Sequence, residues 1–398
     1  MINRADERKA NLIEKIKSHI LKHTIDDAIN DDDAFFFGLH FNEIGELDVG
    51  DGTKEQHCNI MCTSKYLLKT LNREGVGHID GTYKVCSLSY PLVIYGITDI
   101  QGKFHPVAFM ITSNESEEDF VEFYKSIKEL AAELDIEFEP QFIMQDARQA
   151  SYNAALNVFP NVKVLMCYYH VKAQILKHRD LIAKHKYDEL MKDMTDLHYS
   201  ENVVEFITKK TIFKIKFAGT KMLDYIQKQW FEGVFNKWQV FCNPPGYANT
   251  NSPIDQSFNA TFKRDFTKRI KCSMYRVLNK ISESVQYYSN EKNNFFNEKP
   301  KFDADIKLRA SELSAKSFKK INDQVVYTSS CDLSKKYISL IDSRCYKNCS
   351  CSCMSFLKHA VCQHVVAYSI ACKTDWYGIK YRQNETFVKK PKKELQNV

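Results

Sequence analysis

The sequence has few of the residues that break or loosen a fold: 13 Gly and 9 Pro in 398 residues. That scarcity excludes a collagen-like or linker-rich chain and argues against long disordered tracts. No internal repeat or low-complexity stretch is present, so a solenoid or repeat array is excluded. No apolar run approaches the roughly 18 residues that a membrane span requires. The start, MINRADERKANLIEKIK, is charged from its fourth residue and lacks the apolar core of a secretory leader. Neither membrane insertion nor secretion is expected. What the chain does contain, against that background, is 13 Cys. In a reducing compartment such a number reads as thiols and metal ligands rather than disulfides.

A net charge of +6 is modest for this length but unevenly spread. Residues 25 to 51 are acidic, whereas KRDFTKRIK at 263 to 271 and KKPKK at 389 to 393 are basic. Lys263, Arg264, Lys268 and Arg269 are candidate contacts to a phosphate backbone, with a solvated helix face as the plain alternative.

The pattern divides the chain in three. Residues 1 to 75 read as a helical entry region, from ADERKANLIEKIKSHILKH to a second helix near TSKYLLKTLNRE. From 76 the runs GVGHIDGTYKVCSL, YPLVIYGITDI and KFHPVAFMITS predict three strands. NESEEDFVEFYKSIKELAAELDI then predicts a helix with a Ser start and acids in its first turn. EPQFIMQDA, RQASYNAALNVF, VKVLMCYYH and HVKAQILKHRDLIAKH continue as strand, helix, strand, helix. The order is βββαβαβα. Residues 185 to 250 read as a helical insertion containing Trp230 and Trp238, with helix resuming after Pro253 to about 295. The tail from 300 has strand-like VVYTSS and KKYISLID before a Cys-rich segment.

Three aspartates are candidate metal ligands, and each also has a local explanation. Asp80, in HIDGTYK, can start an Asp-Gly hairpin turn. Asp146 can cap the helix that follows QFIM. Asp255, in NTNSPIDQSFNATF, can complete a capping box with Ser252. Taken together, an acid on the first strand and one at the end of the fourth meet if those strands are neighbours, and a later helix can bring in the third. Such a cluster calls for cations, and two Mg²⁺ or Mn²⁺ roughly 3.5 to 4 Å apart are what in-line phosphoryl transfer uses.

HIDGTYK, YPLVIYGITDIQGKFHPVAF, SEEDFVEFYKSI, MQDARQA, FPNVKVLMCYYHV and TNSPIDQSFNATFKRDF together resemble the core of the Mutator-like (MULE) transposases, over residues 76 to about 290. The resemblance implies an α/β, RNase H-like catalytic core, a mixed sheet flanked by helices, over 76 to 295 with the helical insertion inside it. It implies a catalytic triad of Asp80, Asp146 and Asp255, the last standing where the family usually has Glu. It also matches Cys167 and His170 to a C-x-x-H of such transposases. Their role stays open between active-site support and a buried strand-end Cys followed by a helix-starting His. DNA as partner, oligomerisation on DNA and a eukaryotic nucleus follow from the same resemblance.

In CSCMSFLKHAVCQHVVA, Cys351, Cys353, Cys362 and His364 are a complete tetrahedral zinc set with no open position, hence a structural site. Cys349 is a competing ligand, and Cys345 and His359 lie nearby. The spacing resembles a SWIM zinc finger at about 335 to 370, within a small C-terminal module over 300 to 398. His57, Cys58 and Cys62 form a poorer cluster. Relatives commonly carry an N-terminal zinc-binding DNA-recognition domain, and residues 1 to 75 offer no adequate Cys/His set for one. The expected function is therefore a metal-dependent transposase. The rivals are a domesticated relative acting as a DNA-binding or regulatory zinc protein, and a nuclease of the same fold without strand transfer.

Overall fold

The structure is a computed structural model, and it describes residues 4–25, 28–247, 257–292, 294–297, 304–321, 324–329, 335–340 and 349–371. The chain forms two compact units, one of Met1–Pro300 with Met354–Ala360, the other of Lys301–Cys353 with Val361–Val398.

The first unit runs α1 (Arg4–Leu21), β1 (Phe35–Phe37), β2 (His40–Phe41), β3 (Leu47–Asp48), β4 (Asn59–Thr63), α2 (Lys65–Leu68), β5 (Val76–Thr82), β6 (Leu92–Thr98), β7 (Phe104–Thr112), α3 (Glu117–Glu133), β8 (Phe142–Gln145), α4 (Gln149–Val158), β9 (Lys163–Met166) and α5 (Tyr168–Lys177). α6 (Lys184–His198), α7 (Val203–Lys216), α8 (Lys221–Ile226), α9 (Asn259–Thr261) and α10 (Met274–Asn290) follow. From β5 to α5 this is the expected βββαβαβα order. A seven-stranded mixed sheet results, ordered β1-β4-β7-β6-β5-β8-β9, with β5–β8 and β8–β9 parallel and the other pairs antiparallel.

Residues 1 to 75 are not simply helical, because β1 and β4 extend the main sheet beyond β7. The apolar runs FFF and NIMC are too short to fill a helix face, yet long enough to pair at a sheet edge, where β1 and nearly all of β4 are buried. The helix that begins at Ser257 also differs from expectation. It runs from Ser257 through a wide π turn at Phe262–Phe266, breaks at Lys268 and Arg269, whose φ values are 54° and 60°, and restarts at Met274. A bridge between Cys86 and Cys272 pins the break against the β5–β6 connection.

Both faces of the sheet are covered. Ile79, Val93, Tyr95, Ile143 and Val164 face Phe120, Phe123, Ile127, Ala154 and Ala155 of α3 and α4. Ile60, Ile94, Phe109 and Ile111 face Ile16 and Ile20 of α1, Phe258 and Phe262, and Val277, Ile281 and Val285 of α10. Period-2 alternation along the strands sends successive side chains to opposite faces, so one sheet supports two cores. α3 starts as its sequence requires, with Ser116 and Asp119 forming a reciprocal capping box. The insertion is helical only as far as Phe231; from Glu232 to Tyr247 it is irregular apart from a short turn at Val240–Cys242, so the all-helical expectation fails there. It packs Leu190, Met194, Phe206, Phe213, Trp230 and Trp238 around Tyr168 and Val171 of α5.

Two buried imidazoles in this unit couple its stability to pH. His78 on β5 and His198 on α6 are each held down to about 3 by burial, against an ordinary value of 6.5. Between pH 6.5 and 3 the unfolded chain carries these protons and the folded chain does not, so stability falls on acidification. Urea unfolding from pH 6.5 to 5 should show a loss approaching about 1.4 kcal/mol per pH unit for each histidine. His78→Asn and His198→Asn should each flatten that slope, and a slope equal to wild type in both would refute the coupling.

The second unit contains α11 (Ala304–Ser311), the four-stranded antiparallel sheet β10 (Phe318–Ile321), β11 (Gln324–Thr328), β12 (Lys336–Leu340) and β13 (Ser350–Cys351), and a last helix (Gln363–Ala371). Its apolar core is small: Ile306, Ala310, Val361, Val366 and Ala367, with Leu313, Phe318 and Ile370 against them.

Candidate metal centres

β5 and β8 are parallel neighbours with Gly77 opposite Ile143 and His78 opposite Met144. Two residues further along, the same register sets Asp80 opposite Asp146. β8 and β9 are also parallel, with Gln145 opposite Met166, which brings the next residue, Cys167, alongside Asp146. Val76, Met144, Leu165 and Cys167 form an apolar floor on that face. Asp80 is buried within β5 and pairs with Ile94 on β6, so Asp80-Gly81 is strand rather than a hairpin turn. Asp146 does not cap α4 either. The N-cap of that helix is Arg148, which makes no side-chain capping bond.

Asp80, Asp146 and His170 each offer one ligand atom, and the three atoms lie within 4.8 Å of one another. His170 reaches this place because Cys167, buried just past the end of β9, is the N-cap of α5 and its carbonyl accepts from the His170 amide at 3.1 Å. The C-x-x-H spacing thus turns one helical step and places the imidazole over the strand ends. Two carboxylates and an imidazole are a fitting donor set for a divalent cation. Asn259 joins them: its Nδ2 donates to Asp80 Oδ2 at 2.6 Å, and its own Oδ1 is buried. Asn259 was not singled out from sequence, although a buried amide between Phe258 and Phe262 was a visible anomaly.

Asp255 lies outside the described residues, as does KKPKK at 389 to 393. Of the candidate DNA contacts, Lys263 is half-buried, and burial lowers its pKa while Asp80 pulls the other way. Arg264 is exposed and forks onto Asp265 at 2.7 and 2.8 Å, while Lys268 and Arg269 are exposed on the break before α10.

A group of three residues that sequence reasoning missed borders the acids. Arg148 pairs with Glu115, donates to the Tyr83 hydroxyl at 2.5 Å and stands 3.8 Å from Asp146 Oδ2. Burial opposes the Arg148 charge, but Glu115, Asp146 and Tyr83 outweigh it and raise its pKa. Burial also pushes the Tyr83 phenol up to about 12, keeping it protonated at neutral pH.

In the second unit, Cys351 ends β13, Cys353 follows it, Cys362 precedes the last helix and His364 lies in that helix's first turn. All four are buried, and their ligand atoms lie within 4.8 Å of one another. Cys351 Sγ is 3.8 Å from His364 Nδ1, close to the roughly 3.6 Å edge of a tetrahedron with Zn–S and Zn–N bonds of ordinary length. Tyr337 stacks on the His364 ring at 4.4 Å and Tyr327 packs at 4.8 Å, fixing its orientation. Hydrogen bonds from Cys353 and Cys362 hold the Cys351 thiol far below its usual value, whereas burial drives Cys362 well above it. Cys349 is buried but outside this group, His359 is exposed and also outside it, and Cys345 is not among the described residues. His57 bonds Asp119 at 2.7 Å instead of joining Cys58 and Cys62, whose thiols burial pushes up to about 12.

Residues 76–174 match the family model of the MULE transposase domain, which points to a transposase-family protein. The matched segment runs from β5 into α5 and contains Asp80, Asp146, Cys167 and His170; it contains neither Asp255 nor the zinc-type cluster. The four Cys/His ligands are compatible with a SWIM-type zinc finger. No curated protein matches the chain. Among the described residues, no helix is long and apolar enough to cross a membrane.

Proposed function

We propose that the first unit is an RNase H-like transposase core that cleaves and joins DNA strands with divalent metal, and that the second carries a structural zinc. The observation that carries this is the meeting of Asp80, Asp146 and His170 at the ends of parallel strands, inside the segment matched to the MULE transposase domain. Asp80 and Asp146 would hold the cation through carboxylate oxygens, with His170 as a nitrogen ligand beside them. A bound Mg²⁺ or Mn²⁺ supplies Lewis-acid stabilisation of the phosphoryl oxygens and lowers the pKa of an attacking water. An imidazole in the set suits Mn²⁺ better than Mg²⁺, whose preferred ligands are all oxygen.

Asp255 is proposed as the third acid. It precedes Asn259 by four positions in the sequence, and the Asn259 side chain bonds Asp80. Asn259 itself would steady Asp80 by donating to its Oδ2. The buried floor of Val76, Met144, Leu165 and Cys167 keeps water from the sheet side of the site. Lys263, Arg264, Lys268 and Arg269 would contact the DNA backbone, a sequence-independent and salt-sensitive role. Nuclear residence and oligomerisation on DNA belong to the same proposal.

Two assays test it. Purified protein should nick supercoiled plasmid in Mn²⁺ or Mg²⁺ and lose that activity in EDTA. Short duplexes with a free 3′-hydroxyl, supplied as pre-cleaved ends, should be joined to plasmid. Nicking without joining would identify a nuclease of the same fold, and DNA binding with neither would favour a domesticated DNA-binding protein.

A further inference from the structure

We propose that Arg148, held by Glu115 and Tyr83, is a positioning residue that fixes the Asp146 carboxylate beside Asp80. The inference rests on the reading of Asp80 and Asp146 as metal ligands. Three separate elements meet at the guanidinium. Tyr83 lies one residue beyond β5, the strand of Asp80; Glu115 immediately precedes the Ser116 cap of α3; Arg148 is the N-cap of α4, two residues beyond Asp146. The Tyr83 hydroxyl accepts from Arg148 at 2.5 Å and donates to the Glu115 carboxylate, whose oxygens are 2.9 and 2.8 Å away. Arg148 completes the triangle by pairing with Glu115, and its guanidinium also lies over the Phe120 ring at 5.9 Å. Gly81 leaves room for this, since a Cβ there would stand 2.9 Å from Glu115 Oε1.

The backbone of the same loop is held from the other side. Gln145, almost fully buried, donates from Nε2 to the carbonyls of Asp146 and Arg148 at 3.2 and 3.3 Å, and Ser151 donates to its Oε1 at 2.9 Å. Asp146 thus sits on a loop anchored at both ends, with a cation 3.8 Å from its Oδ2. That separation is too long for a forked Arg–carboxylate pair. Glu115 and Tyr83 draw the guanidinium aside, so that Arg148 orients Asp146 without occupying the oxygens a metal needs.

Electrostatics and positioning predict opposite outcomes, which makes the inference testable. Removing a positive charge beside the site favours cation binding by Coulomb's law, whereas loss of positioning weakens it. Mn²⁺ binding to the full, zinc-loaded chain without DNA would be measured by calorimetry and by electron paramagnetic resonance of free Mn²⁺. Arg148→Gln is expected to weaken binding about tenfold, the scale seen when partners of metal ligands are lost. Arg148→Lys, which keeps charge but not the fork, should also weaken it, and Tyr83→Phe should do so to a smaller degree. Arg148→Gln that folds and binds Mn²⁺ as well as or better than wild type would overturn the inference. If that variant does not fold, Tyr83→Phe decides, and unchanged affinity there overturns it. Asp80→Asn separates the two layers: undiminished Mn²⁺ binding in that variant refutes the metal-site reading itself, whatever Arg148 does.

Discussion

Asp80→Asn and Asp146→Asn are each expected to reduce metal-dependent DNA cleavage by about a thousandfold or more, with the fold intact. The size follows from the way residues of one catalytic unit act together, where removing any member costs nearly as much as removing all. Each change keeps the shape of the side chain and an acceptor oxygen. Asn259 can still donate to residue 80, and the Ile94 register on β6 is untouched. What is lost is a charge on a cation ligand, so circular dichroism and the unfolding midpoint should stay near wild type while nicking and joining fall together. Retention of activity within tenfold in either variant would end the catalytic reading of that residue. Asp255→Asn is the informative companion. As a helix cap, Asp255 would leave cleavage nearly unchanged on substitution and cost at most about 1 kcal/mol of stability. As the third acid, it would cost activity on the scale of the other two, and Asp255→Glu would retain or raise it.

Loss of zinc is expected to unfold the second unit and spare the first. Wild type should hold one zinc per chain, and Cys362→Ala combined with His364→Ala should hold none. Cys349→Ser should keep the full complement, because Cys349 is buried outside the four-ligand cluster. The energetic reason is the small core of this unit, where among the described residues eight apolar side chains group around Ile306 and Val366. Structural zinc supplies folding free energy on the order of 10 kcal/mol, more than such a core provides alone. Chelation should therefore open residues 301–353 and 361–371 to protease while the seven-stranded sheet stays resistant. Zinc content unaffected by the double substitution would refute the assignment.

Part of the Asp80–Asp146 pair was visible in the linear order. Three β-like runs followed by alternating helix and strand predict parallel β8 and β9, and acids at the ends of such strands can meet. Whether they do depends on β5 lying next to β8, a long-range pairing that no local pattern specifies. The same limit explains the edge strands. FFF and NIMC have no preference that sets them apart from short helical or loop segments, and only pairing with β7 and with each other makes them β1 and β4.

The sequence by itself determined the capped start of α3, the alternation that gives each strand two faces, and a Cys/His set in which the tertiary structure then chose between Cys349 and its neighbours. These are contacts between residues close in the chain, where spacing alone sets geometry: Ser116 to Asp119 is one capping turn, and Cys362 and His364 straddle the start of one helix. Tertiary structure alone decided which polar residues gather at the acids. His170 is 90 positions from Asp80, Asn259 is 179 away, and Tyr83 and Arg148 are separated by 65. Their meeting depends on strand register and on how α5 and the Ser257–Phe266 helix pack on the sheet. Those choices are made by burying Phe258, Phe262 and Val171 among distant apolar partners, an effect that rewards area and shape without regard to sequence separation.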